Sequence, residues 1–174
     1  MKTLNIPPYL KNYAHGLTTI RVKDNKERYE GTHKHRPGFK DSILLGSVPR
    51  DYYTDYVGIL GELLVRHYLE TSDEIVRYTA STLLKKQDDI TDDSDIIAYS
   101  SKETYRISVK TCEKTFKANK RAIDIEEADI VIFIMFTSPD TYLLSNFSPD
   151  QVRSWNVVTK AYSPYYELSP NAKM

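Results

Sequence analysis

The chain has 174 residues, with 24 Lys and Arg against 24 Asp and Glu, so its formal net charge is zero. That balance excludes nucleic-acid binding driven by a global positive field and leaves only a local basic patch for it. A single cysteine, Cys112, excludes an internal disulfide framework and an all-cysteine zinc site, and it fits a reducing cytoplasm. The length fits one domain, 1–174, able to bury a core. No apolar run reaches the ~20 residues that span a bilayer, and Met1–Pro8 lacks the apolar segment of a signal peptide. A soluble, cytoplasmic protein is expected.

Residues 1–50 read as a loop-rich arm with short strands, the best of them Leu17–Val22. Residues 51–174 read as an α/β core. A helix is expected from about Tyr52 to Glu70, where Leu60, Leu63, Leu64, His67 and Tyr68 recur at helical spacing. A strand at Glu74–Ala80 and a polar acidic loop around Asp88–Asp93 follow. Then comes a hairpin. Asp95-Ile-Ile-Ala-Tyr99 and Thr104-Tyr-Arg-Ile-Ser-Val-Lys110 flank the polar turn Ser100-Ser-Lys-Glu103. A turn centred on Ser101–Lys102 pairs Tyr99 with Thr104 and sets Asp95 opposite Ser108. Alternation of side chains then puts Ser108 and Lys110 on one face. Phe116–Glu127 reads as a helix, and the apolar run Ile130–Phe136 as a central strand. Another strand is expected at Thr141–Ser145, a helix start at Ser148-Pro149-Asp150, and a last strand at Tyr165–Leu168.

An acid and a lysine meeting at one end of a hairpin suit a divalent metal and a phosphate. This order of elements, with Asp95, Lys110 and Glu62 of Gly58-Ile-Leu-Gly-Glu-Leu-Leu64, resembles the PD-(D/E)xK nuclease superfamily over roughly Tyr52–Phe136. The resemblance implies a restriction-endonuclease-like core: a central mixed β-sheet flanked by helices, in the order helix, three strands, helix, strand. It implies Asp95 as the first acid, Lys110 as the lysine and Glu62 as an added helix acid. Glu62 falls off the leucine stripe of its helix, which solvent exposure explains equally well.

Two positions depart from the motif. Ser94 stands for its proline, and Ser108 for the acid of its acid-x-lysine triplet. A neutral hydroxyl does not balance a Mg²⁺ charge. Ser108-Val109-Lys110 resembles a branch of restriction enzymes that takes this acid from the following helix. Asp124 and Glu127, three apart on one helix face, are the candidates, with Asp124 favoured by its spacing from Lys110. The implied protein is a Mg²⁺- or Mn²⁺-dependent endonuclease acting on DNA as a homodimer. Asp95, Lys110, Glu62 and Ser108 are its catalytic residues, and Asp95, Asp124, Glu127 and Glu62 the metal ligands. Two basic segments suit the nucleic-acid backbone, one around Lys34 and Arg36 and one at Lys114, Lys117, Lys120 and Arg121. The alternative is an inactive relative that binds nucleic acid or a protein.

Overall fold

The computed structural model describes residues 3–24, 44, 52–71, 75–80, 95–159 and 163–168. A short strand, β1 (Thr3–Asn5), leads into helix α1 (Pro8–Asp24), which opens on proline, where a missing amide is harmless. Leu10, Ala14 and Leu17 recur at helical spacing along α1 and are buried. The strand expected at Leu17–Val22 is therefore part of this helix. Thr18, Thr19 and Ile20 favour a strand locally, but burial of the stripe overrides that preference. The two threonine hydroxyls donate to the carbonyls of Ala14 (2.7 Å) and His15 (2.9 Å), which satisfies them within the helix. Lys34, Arg36 and the acidic loop at Asp88–Asp93 lie outside the described residues.

Helix α2 (Tyr53–Glu70) has the expected span and buries Leu60, Leu63 and Leu64 of the expected stripe, but Tyr68 is exposed and Leu69 is buried in its place. It packs against α1, where the His15 and Tyr56 rings lie 4.8 Å apart and Arg21 reaches Asp55 at 3.5 Å. Its other neighbour is the main sheet. At Gly61 the helix comes so close that an added Cβ would overlap Cγ2 of Thr111.

The strands that follow are β2 (Ile75–Ala80), β3 (Ile96–Ser100) and β4 (Thr104–Glu113). Tyr99 pairs with Thr104 and Ile96 with Ile107, so the hairpin has the expected register. The turn closes through the Ser100 amide, which donates to the Glu103 carbonyl at 2.8 Å. The helix expected at Phe116–Glu127 is instead a strand, β5 (Lys117–Asn119), a five-residue helix, α3 (Lys120–Asp124), and a loop. Two interactions explain the difference. The Asn119 side chain caps α3 by accepting from the Ala122 amide at 3.1 Å. Lys117–Asn119 pair with β9 (Tyr165–Glu167), a distant partner invisible to any local pattern.

Next come β6 (Ile130–Ser138), β7 (Thr141–Phe147), α4 (Pro149–Arg153) and β8 (Asn156–Val158). Among the described residues the main sheet has six strands in the order β1-β7-β6-β4-β3-β2. Strand β4 is antiparallel to β3 and parallel to β6, and the β5–α3 segment makes the crossover that a parallel pair requires. β6 is central, as its unbroken apolar run predicts. Strands β5, β9 and β8 form a second, small sheet.

The architecture is mixed α/β, with one apolar cluster on each side of the main sheet. Ile107 and, at its margin, Val109 belong to the cluster under α1 and α2. Cys112, Phe133, Ile123 and Val152 belong to the other, under α3 and α4. Alternation along β4 thus turns Ser108 and Lys110 toward the α3 side. No helix among the described residues is long and apolar enough to cross a membrane.

Candidate active site

Asp95 stands one residue before β3, where the β3–β4 ladder stops. Its carboxylate does there what a strand carbonyl does elsewhere: Oδ2 accepts from the Val109 amide of β4 at 2.6 Å. Across from it, Ser108 is 1% exposed. Its hydroxyl oxygen accepts from the Lys110 ammonium at 2.7 Å, two positions along the same strand face.

Lys110 also lies 3.3 Å from Oε2 of Glu126. Glu126 sits in the loop between α3 and β6, and its side chain is only 6% exposed. Its second oxygen accepts from the Ala128 amide at 3.2 Å. A carboxylate therefore does reach Lys110 from the loop after α3, and it belongs to neither of the two residues that spacing suggests. Asp124 points to the second sheet, paired with Lys120 and accepting from the Tyr166 hydroxyl at 2.8 Å. Hydrogen bonds from Lys120 first, then from Tyr166, hold its carboxyl below the ordinary value. Glu127 is 70% exposed and faces Arg106 at 3.9 Å. Both were expected on one face of a continuous helix. Because α3 ends at Asp124, that face does not exist, and the turn after it aims Glu126 inward instead. Three nearby acids look alike in the sequence, and nothing in their spacing singles out Glu126.

Burial pushes the Asp95 carboxyl above its ordinary value, and the negative charge of Glu126 adds to that. The Val109 amide, the Lys110 charge and a hydrogen bond with Ser108 pull the other way without cancelling it. Glu62 is buried in α2 rather than solvent-exposed. Its helix packs on the sheet face that carries Val109 and Thr111, opposite the face of Ser108 and Lys110.

Among the described residues, no three of His, Cys, Asp and Glu come together as a metal-holding group. Glu62, Asp124 and Glu127 thus do not complete a set around Asp95. The carboxylates of Asp95 and Glu126 feel each other's charge beside a single ammonium. Mg²⁺ is commonly held through one or two carboxylates, with water and substrate phosphate in the remaining positions. Two carboxylates beside an ammonium do not make a closed protein cage for a metal ion.

Of the basic residues, Lys114, Lys117 and Arg121 are exposed along the segment that runs from β4 to the end of α3. Lys114 turns the corner out of β4 with a left-handed φ of 69°. Lys117 lies over the Tyr165 ring at 5.8 Å, while Lys120 is engaged by Asp124 and the Tyr166 ring. No protein-family model matches the chain, and neither a curated protein nor a solved structure resembles it.

Proposed function

We propose that the chain is a metal-dependent endonuclease of the restriction-endonuclease-like, PD-(D/E)xK class that hydrolyses DNA phosphodiester bonds. The observation that carries this reading is the convergence of Asp95, Ser108, Lys110 and Glu126 where β3 meets β4. The chain order α2, β2, β3, β4, β5, α3, β6 supports it, being the order the resemblance implies with the short strand β5 added.

Asp95 and Glu126 would hold Mg²⁺ or Mn²⁺, which when bound polarises the scissile phosphate as a Lewis acid. Lys110, held between Ser108 and Glu126, presents a cation where negative charge grows on the phosphoryl oxygens. Ser108 supplies no charge; it orients Lys110. Lys114, Lys117 and Arg121 lie on the segment that delivers Glu126 and suit the DNA backbone as it leaves the site. Cutting both strands calls for two copies, so a homodimer belongs to this reading.

A second reading, a relative that binds nucleic acid or a protein without cutting, is favoured by the Lys110–Glu126 ion pair, in which two groups needed for chemistry neutralise each other. A plasmid-cleavage assay in Mg²⁺ and Mn²⁺ separates the two. The nuclease reading expects cutting by the wild type and a loss of about a hundredfold or more in Lys110→Ala. DNA binding without cutting supports the second reading. Cutting that survives Lys110→Ala unchanged overturns the assignment of this site.

A further inference from the structure

A five-residue helix leaves its last carbonyls without partners inside the helix. In α3 this matters more than usual, because the loop beyond its end carries Glu126. The Arg153 guanidinium reaches one of those carbonyls, that of Ile123, which also accepts from the Glu126 amide at 3.2 Å, and the Glu126 carbonyl two residues past the helix. Its Nε and Nη2 donate to the Ile123 carbonyl at 3.2 and 2.9 Å, and Nη2 also donates to the Glu126 carbonyl at 3.1 Å. Nη1 donates to Asp150 at 2.7 Å, which fixes the plane of the fork from behind.

The base of this fork is itself rigid. Arg153 is the last residue of α4, whose start is locked by a reciprocal capping box between Ser148 and Gln151 with Pro149 behind it. Val152 is fully buried beside Ile123 and Phe133. Trp155, two residues on, packs on Phe133 and Phe147 at 5.1 and 5.0 Å between ring centres. The main chain of Glu126 is thus gripped by Arg153 while its carboxylate meets Lys110 and the Ala128 amide.

We propose that Arg153 is a positioning residue that sets Glu126 against Lys110 and Asp95. The assignment rests on the nuclease reading above. Arg153 meets Glu126 through its backbone carbonyl and also holds the Ile123 carbonyl, so it acts by fixing the path of the loop that carries Glu126. Outer groups that orient a metal ligand are typically worth about 10- to 100-fold in metal affinity or activity, and a small misplacement of a reacting group has effects of that order.

The test uses the full chain as wild type, Arg153→Ala, Arg153→Lys, Glu126→Ala and the Arg153→Ala/Glu126→Ala pair. Mn²⁺ binding is followed by the paramagnetic resonance signal of the free ion, and plasmid cutting gives kcat and KM. Arg153→Ala is expected to weaken Mn²⁺ binding and lower kcat by about tenfold or more, with KM for DNA close to wild type. In the Glu126→Ala background the same substitution should change Mn²⁺ binding no further. Arg153→Lys keeps the charge but not the fork, and should recover part of the loss. If Arg153→Ala does not fold, Arg153→Lys is compared in both backgrounds instead. Wild-type Mn²⁺ binding and kcat in the Arg153 variants, or an equal loss with and without Glu126, overturns this inference and leaves the nuclease reading standing. A wild type that neither binds Mn²⁺ nor cuts overturns both.

Discussion

The Lys110 ammonium lies 2.7 Å from the Ser108 hydroxyl and 3.3 Å from the Glu126 carboxylate, so one cation joins a strand to a loop from the far side of a crossover. The serine on the strand cannot carry charge, and the acid that can carry it comes from a segment local pattern reads as helix. This relationship separates Glu126 from the acids around it.

Glu126→Gln should lower kcat for plasmid cutting by about a hundredfold or more. Asp124→Asn and Glu127→Gln should stay within a few-fold of wild type. Asp124 and Glu127 make ion pairs with Lys120 and Arg106 at the surface, and exposed pairs of this kind contribute little. Parallel steady-state kinetics on the three variants checks the ranking. A loss confined to Asp124→Asn would put the acid where spacing alone suggests.

Asp95→Asn should abolish cutting while raising the melting temperature. The sign follows from burial, which holds the folded-state pKa above the unfolded value. The folded state then binds more protons than the unfolded one between those two values. Stability falls as pH rises through that window, and the penalty persists at neutral pH. An amide removes the charge and keeps an acceptor for the Val109 amide. Calorimetry from pH 4 to 8 should show the wild type losing stability, relative to Asp95→Asn, as pH rises. Carbon-detected titration of Asp95 should show Lys110→Ala moving the carboxyl higher and Glu126→Gln moving it lower, since Lys110 pulls it down and Glu126 pushes it up.

Cys112 should resist thiol reagents in the folded protein. It is buried on the α3 side of β4, where desolvation pushes its thiol up to about 12, so the reactive thiolate is scarce at neutral pH. A disulfide reagent at pH 8 should label it only after denaturant is added. Rapid labelling of native protein would mean that β4 opens readily.

Gly61→Ala should destabilise the fold by about 1–3 kcal/mol, because the added methyl overlaps Cγ2 of Thr111 where α2 crosses β4. Thr111→Ser removes that methyl and should recover most of the loss. Urea denaturation of the two single variants and the double variant measures the coupling directly. Additive effects would place the strain elsewhere.

The β3–β4 hairpin is legible in the sequence because its signals are local. A polar turn between two alternating strands sets the register, and the register alone sets Asp95 across from Ser108. Helix α2 and the central strand β6 are legible for similar reasons, one through helical spacing and the other through an unbroken apolar run. Helix α1 is not. Its β-branched middle reads as a strand, and only packing of Leu10, Ala14 and Leu17 in the core reverses that.

The sequence by itself determined which groups the site has to draw on: an acid at Asp95, an ammonium at Lys110, a neutral Ser108 between them and a choice of acids after Phe116. Only the tertiary structure decided which of these acids meets Lys110. Lys117–Asn119 become a strand because β9, far along the chain, pairs with them. The shortened helix ends at Asp124, and Arg153 from a third segment grips the loop that follows. A carboxylate reaches Lys110 through that sequence of long-range contacts, none of which a local pattern can show.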